Sequence, residues 1–329
     1  KVRKLYSGEI AAMAVISPLY SFLTFFGILC GIGGSVLFSA ARGEGKEEKA
    51  RAYYTAALLA VGVTIGALWL ALGLFHDPIF RFLGADGDIL PKTMEYARWL
   101  IRFLPFAVLP TFLGAFLRND GAPALALGAV IAGGCLNILG DWFLVFPLGM
   151  GMEGAALASV AGFVLQTLLM CGHFFRRGYG LRPVRPRRLG RALGQLLAAG
   201  VGSGLLDLGA VFTAVLMNNQ IMRYGGPQAL AVYGVIAAVS PLFQAVFGGV
   251  GQAVQPLASA NCGAGRWDRV RAFWRLGLGT SLALGAAFTC LGELFPRAVT
   301  RLFISAAPRR WPWPRGCSGP TSCCSPPWG

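Results

Sequence analysis

Two polar side chains, Asn137 and Asp141, interrupt a run that is otherwise apolar from Ala122 to Pro147. Four positions along an α-helix amount to about one turn, so both side chains project from the same face and can address one ligand. If that run crosses a membrane, Asp141 costs about 2.5–3.5 kcal/mol on insertion scales, which favours a use for it. A carboxylate beside an amide in low-dielectric surroundings suits Na⁺ or a proton.

Other polar groups in apolar runs are candidates for the same chemistry. The next run offers Ser159 and Gln166, which a helical hairpin would bring opposite Asn137 and Asp141. The alternative is interhelical hydrogen bonding that only holds a bundle together. A second candidate acid is Asp207 in GSGLLDLGAVF, whose alternative is an interfacial position near a helix end.

Amide side chains further along the chain could line a substrate cavity. These candidates, with Gln166, are Asn218, Gln252 and Gln255. Pro256 follows Gln255 directly, so helix bending at GVGQAVQPL is as good an interpretation as a pocket.

Catalytic and metal-binding patterns are missing from the sequence. It contains no GxSxG, HExxH or GxxxxGK[ST] motif, so we expect no enzyme, no resident cofactor and no nucleotide-driven pump. His76 and His173 lie at the ends of apolar runs without visible partners, so we expect neither to bind a metal.

Composition places these residues in a membrane protein. Of 329 residues, 55% are hydrophobic and only 13% charged, and the mean hydropathy is +0.61. The apolar runs are continuous, which is typical of spanning helices rather than barrel strands. We therefore predict an all-α, multi-pass protein of the plasma membrane with about eight spans. These spans are 10–38, 53–75, 97–117, 122–147, 153–175, 190–217, 228–259 and 273–296.

The net charge of +15 does not indicate nucleic-acid binding, because the basic residues cluster in short loops between spans. The loops after the first, fifth and seventh spans, with Arg118 after the third, fall on one side if each run crosses once. An excess of Lys and Arg marks cytoplasmic loops, so we assign that side to the cytoplasm.

An internal repeat appears at an offset of 220 residues. SAARGEGKEEKARAYY at 39–54 aligns with SANCGAGRWDRVRAFW at 259–274, with identities that include Gly43/Gly263 and Gly45/Gly265. One period holds six spans, which predicts two parallel six-helix halves with a site between them.

The repeat divides the chain into four parts. We expect an N-terminal lobe at 1–175 that lacks its first helix, a basic interlobe linker at 176–189 and a partial C-terminal lobe at 190–305. The remainder, 306–329, is rich in Pro, Arg, Trp and Cys and is predicted to be a disordered or frame-shifted tail.

Three segments resemble the multidrug and toxic compound extrusion (MATE) transporters. They are GIGGSVLFSAARGEGKEEKA at 31–50, the stretch from FLRNDGAP to EGAALASV at 116–160, and YGVIAAVSPLFQAVFGGVGQAVQPLASANCGAG at 233–265. The resemblance implies a monomeric, two-lobed bundle of six plus six helices that expels amphipathic, often cationic drugs by alternating access, in exchange for Na⁺ or H⁺.

Site residues follow from the resemblance one by one. The ion site of the family includes an Asn and an Asp four residues apart and a hydroxyl on the next helix, which Asn137, Asp141 and Ser159 match, with Ser in place of Thr. Asp207 lies where some members carry a coupling acid, usually Glu. Because the first helix and the last three are missing from this pattern, we expect the chain as it stands to be an inactive fragment. A lipid-linked oligosaccharide flippase of the same superfamily and a non-functional membrane remnant are the alternatives.

Overall fold

The computed structural model describes residues 2–83, 89–175, 179–186 and 188–294, without some side chains at the start of α1, at the end of α8 and in the middle of α7. The described residues form helices and loops. The helices are α1 (Val2–Gly43), α2 (Glu47–Phe82), α3 (Ile89–Arg102), α4 (Leu104–Asn119), α5 (Pro123–Val145), α6 (Gly151–Cys171), α7 (Leu189–Gly263) and α8 (Trp267–Leu294), with a 3₁₀ turn at Gly172–Phe175. The all-α membrane fold predicted from the sequence is confirmed.

Most predicted spans correspond to single helices. Among the described residues, five segments are long and apolar enough to cross a bilayer, and a bent pair of helices would be a sixth. Side chains that face away from the core are largely apolar, for example Leu70 and Leu139, as expected for surfaces in contact with lipid.

The predicted continuous span 97–117 is wrong in one respect, because the helix breaks at Phe103. Here α3 and α4 meet at an angle of 57°. Pro105 lies in the first turn of α4, where it has no N–H to donate to the preceding turn. A similar local break occurs in α2 at Phe75, three residues before Pro78.

Predicted spans 190–217 and 228–259 both fall within α7, whose helical assignment runs from Leu189 to Gly263. A straight helix would separate Leu196 from Ala260 by about 96 Å. Yet Gly33 packs on the backbone of Leu196 and Gly43 on that of Ala260, although these two α1 glycines are only about 15 Å apart. The chain of α7 therefore doubles back between its two ends, as two antiparallel spans would.

The internal repeat is confirmed bond by bond. In the first copy, Glu44 N donates to Ala40 O, Gly45 N to Arg42 O and Lys46 N to Ala41 O; the same three bonds recur exactly 220 residues later, from Ala264, Gly265 and Arg266. Gly45 has φ +75° and Gly265 has φ +70°, a conformation that favours glycine.

The two copies also contact each other reciprocally. Gly43 packs against the carbonyl of Ala260, and Gly263 packs against the carbonyl of Ala40. Because 40 and 260, and 43 and 263, are equivalent positions, a pseudo-twofold axis passes through this contact. Nearby, the amides of Asn119 and Gln255 exchange two hydrogen bonds, of 3.2 and 3.4 Å.

A buried carboxylate, Asp120, connects several helices at the end of the bundle where the basic loops lie, here called the basic end. Its side chain is 2% exposed and accepts from Arg42 Nη1 at 2.6 Å and from His173 Nε2 at 2.8 Å. The backbone N–H of Gly180 also donates to it, at 2.9 Å. The ends of α1, α4 and α6 and the start of the segment after α6 thus lie at one end of the molecule, as the loop charges predict.

His173 therefore has a partner, and the interpretation that it lacks one is wrong. The partner, Asp120, lies 53 residues earlier in the chain, so the sequence around His173 gives no sign of it. The segment after α6 follows the same end of the bundle, since Leu181 is fully buried and Val184 N donates to Thr55 Oγ1 at 2.9 Å. The predicted role of 176–189 as an interlobe linker remains a prediction.

Candidate ion site in the α5–α6 hairpin

Close backbone packing brings α5 and α6 together. A Cβ added to Gly133 would lie 2.6 Å from the carbonyl oxygen of Gly162, and one added to Gly162 would lie 2.7 Å from that of Gly133. Small residues allow such an approach between membrane helices. Further along the hairpin, Gly140 packs equally tightly on Ala158.

This crossing positions two of the predicted site residues in contact. Asn137 Nδ2 donates to Ser159 Oγ at 3.3 Å, one turn beyond Gly133 on α5. The helical hairpin predicted from the sequence thus places the amide opposite the hydroxyl. Both side chains are half-buried.

Tyr96 on α3 completes the cluster and was missed by the sequence analysis. Its hydroxyl donates to Ser159 Oγ at 3.1 Å, and its side chain is 9% exposed. One turn further on, Trp99 Nε1 donates to Glu153 Oε1 on α6 at 2.9 Å. No periodicity singles out Tyr96, because a tyrosine in an amphipathic helix ordinarily packs with its hydroxyl toward water.

Asp141 lies one turn beyond Asn137 and four residues before the end of α5. Its Oδ1 atom is buried and has no hydrogen-bond partner among the described residues. Buried polar atoms are nearly always hydrogen-bonded, so an orphaned carboxylate oxygen indicates a place where a proton or a cation can bind.

The hydrogen bonds decide which oxygens remain free. Ser159 Oγ accepts from both Tyr96 and Asn137, so both of its lone pairs are engaged. Since Asn137 uses its nitrogen as donor, its Oδ1 atom remains available, one helical turn before Asp141 on the same face of α5. A sodium ion would find these oxygens and complete its shell with water, whereas a proton needs only Asp141.

The substrate-cavity candidates lie elsewhere. Gln166 packs over Gly133, about 10 Å along α6 from Ser159. Gln252 is exposed, and Gln255 pairs with Asn119 while lining an apolar cavity of about 590 Å³ between the second half of α7 and α8. The side chains of Asp207 and Asn218 lie outside the described residues.

Substitution of Gly133 tests the close packing of α5 against α6. We expect Gly133→Ala to force α5 from α6, because its Cβ would collide with Gly162 O and Gln166, and to destabilise the chain by about 1–3 kcal/mol. Gly134→Ala is the matched control, since nothing lies within 4 Å of its Cβ position. Thermal unfolding of the detergent-purified variants compares them, and equal melting temperatures would contradict the packing described here.

A sequence profile of the MatE family matches residues 2–143 and 208–308 of the chain. The match covers well over half of the sequence and both copies of the repeat. The chain belongs to the MatE family. The membership of this family that the sequence resemblance predicted is thereby confirmed. The ion-site candidates Asn137 and Asp141 lie within the first matched segment.

Curated relatives of this MatE chain are multidrug export proteins. It is 25% identical over 260 residues to the multidrug export protein MepA of Staphylococcus aureus strain MRSA252, and 26% identical to that of Staphylococcus saprophyticus. The alignment covers 78% of this chain and 57% of each relative. The chain thus spans little more than half the length of these relatives.

Solved structures show the same fold. An outward-facing multidrug resistance MATE family transporter superimposes with a TM-score of 0.81 at 22% identity, covering 89% of this chain and 66% of that one. A transporter of the same superfamily from Pyrococcus furiosus, described as having a binding pocket of reverse polarity, superimposes with a TM-score of 0.79 at 21% identity, covering 93% and 71%. The all-α, MATE-type fold expected from the resemblance is therefore confirmed, while the division of this chain into two lobes stays a prediction.

Proposed function

We propose that this MatE chain carries the cation-coupling site of a multidrug exporter, in which Na⁺ or H⁺ binds at Asp141 and Asn137. The observation that supports this most directly is the buried Asp141 Oδ1, which has no hydrogen-bond partner among the described residues. It lies one helical turn beyond the Asn137 amide on the same face of α5. The names of the curated relatives support drug export, and the family match supports a transporter rather than an enzyme. The proposed substrates are amphipathic, cationic drugs, exchanged for the ion across the plasma membrane.

Two neighbours, Tyr96 and Ser159, act as positioning residues for the ligand Asn137 in this proposal. Tyr96 and Asn137 both donate to Ser159 Oγ, so the hydroxyl proton of Ser159 is directed away from them. The Tyr96 contact also links α3 to the α5–α6 hairpin. A change in the charge of Asp141 can therefore be transmitted to three helices at once.

Alternating access requires two halves that can move against each other. The reciprocal contact of Gly43 with Ala260 and Gly263 with Ala40 lies on the pseudo-twofold axis at the basic end of the molecule. Asp141 lies about 30 Å from that end along α5. We propose that binding at Asp141 biases the halves toward one arrangement, which couples ion entry to drug release.

The proposal predicts that Asp141→Asn abolishes cation binding. The substitution keeps the shape of the side chain and removes the charge that attracts the ion. We expect at least a tenfold loss of ²²Na⁺ binding to the detergent-purified chain if the ion is sodium, or loss of drug-induced proton release if it is a proton. Asp77→Asn is the control, because that carboxylate is 60% exposed and should leave both signals unchanged.

Transport is measured separately, as ethidium efflux from drug-sensitive bacteria that express each variant. Unchanged ion binding in Asp141→Asn would overturn the ion site, whatever the efflux. Loss of ion binding in Asp141→Asn, without efflux even in the wild type, would leave the ion site established. It would also show that this chain does not export drugs by itself, as the expectation of an inactive fragment predicts.

A further inference from the structure

A basic cavity lies at the end of the molecule opposite Asp141. Its volume is about 480 Å³, and its walls come from the first turns of α2, residues 184–186 and 188 of the segment before α7, and the first turns of α7. Four cationic side chains line it, Lys49, Arg185, Arg188 and Arg191, against a single carboxylate, Glu48.

The floor of this basic cavity is held by two hydrogen bonds between elements that are distant in sequence. Tyr53 OH on α2 donates to Gln195 Oε1 on α7 at 2.8 Å. Val184 N donates to Thr55 Oγ1 at 2.9 Å. These tertiary contacts shape the cavity. They hold the segment that contains Arg185 and the first turns of α7 against α2.

Three of the cations have no acidic partner within the part of the chain that the structure describes. Arg185, Arg188 and Arg191 make no ion pair there. Lys49, in contrast, pairs with Glu44 at 3.2 Å, and the hydrogen bonds from Lys46 and Lys49 lower the pKa of Glu44. The unpaired guanidinium groups leave a concave surface with an excess of positive charge.

Backbone donors add to this charge. Helix α7 begins beside the cavity with no side-chain cap and no acidic residue in its first turn, whereas the first turn of α2 already carries Glu47 and Glu48. The first N–H groups of a helix point outward along its axis and favour an anion. Together with the arginines, they suit an oxyanion such as a phosphate group.

The surroundings favour a phosphate that belongs to a lipid. Deeper in the membrane, the same two helices expose apolar side chains on the faces that line the cavity, Leu59 and Val63 on α2 and Leu206 on α7. The cavity opens at the end of these apolar surfaces, where the headgroup of a lipid whose chains lie along them would be placed. Basic pockets on the cytoplasmic side of membrane proteins are suited to anionic headgroups.

We propose that this basic cavity is a binding site for the phosphate of an anionic phospholipid, held by Arg185, Arg188 and Arg191. The site lies apart from Asp141 and is independent of the transport proposed above. A bound lipid would bridge α2, the segment before α7 and α7 itself, and so stabilise the packing of α7 against the first lobe.

The test compares two triple variants of the whole chain in detergent by native mass spectrometry, with phosphatidylglycerol or phosphatidylcholine added. The wild type is expected to retain one phosphatidylglycerol in preference to phosphatidylcholine. Arg185→Gln with Arg188→Gln and Arg191→Gln should weaken that binding at least tenfold. The matched control changes Arg266, Arg269 and Arg271 to Gln, which removes the same charge from the turn after α7 and the start of α8 and leaves the cavity lining intact.

Each outcome decides the proposal. Equal losses in the two triple variants would show general attraction of lipid to positive charge and would overturn the site. Inorganic phosphate at millimolar concentration, added without lipid, should not displace the bound phosphatidylglycerol. If it does so completely, the cavity is a site for a soluble phosphate and the lipid assignment is wrong. Both triple variants alter exposed residues, so gel filtration should show wild-type folding.

Discussion

Asp120→Ala is expected to destabilise the protein by about 3–5 kcal/mol, the typical effect of removing one partner from a buried ion pair. The variant would leave the 3% exposed His173 and the N–H of Gly180 without their acceptor, and Arg42 without its closest carboxylate. All three of these donors come from regions more than 50 residues away. The basic end of the bundle should therefore loosen as a unit.

Thermal unfolding of the detergent-purified variant at a fixed scan rate should show a melting temperature lower by about 10 °C. Asp268→Ala is the control, because Asp268 is 99% exposed and lies 3.9 Å from its only recorded ion-pair partner, Arg271. Exposed pairs contribute little to stability. A shift in Asp120→Ala no larger than that of the control would contradict a stabilising role for the cluster.

Leucine at either glycine of the pseudo-twofold contact is expected to cost about 3 kcal/mol. In Gly43→Leu the new side chain meets the Ala260 carbonyl, and in Gly263→Leu it meets the Ala40 carbonyl. Backbone cannot yield as a flexible side chain can, so α1 and the end of α7 must separate.

Because this contact is symmetric, we also expect a specific result for the double variant that combines Gly43→Leu with Gly263→Leu. One separation of the two helices relieves both collisions, so the combined cost should be clearly smaller than the sum of the single costs. Gly66→Leu is the control, since nothing lies within 4 Å of that Cβ position, and leucine favours helix over glycine by close to 1 kcal/mol. Full additivity of the two costs would indicate that the collisions are independent.

Much of the secondary structure follows from the sequence because a bilayer imposes strong rules. Without water, backbone groups must bond within the segment, so a long apolar run is a helix. This argument located α5 and α6 closely and found the middle of α2, which extends six or seven residues further at each end. It failed at Phe103, where Pro105 removes one bond in a run of suitable hydropathy.

The candidate site was predictable in part. Asn137 and Asp141 stand out because polar groups in apolar helices are costly, and Ser159 follows from the hairpin between α5 and α6. Tyr96 and Asp120 could not be found in this way, since a tyrosine in an amphipathic helix and an acid among basic loops are both ordinary. Their roles depend on partners 63 and 53 residues away.

The sequence alone determined the membrane class, the positions of most helices, the repeat and the helical face that Asn137 shares with Asp141, because these depend on composition and on local periodicity. Only the tertiary structure decided the rest. Backbone contacts at Gly133 and Gly162 bring the amide to the hydroxyl, contacts of α1 with both ends of α7 require that helix to double back, and close packing at the basic end selects Asp120 as its centre. Contacts between distant segments depend on which surfaces can approach within van der Waals distance, and that is a property of the assembled bundle.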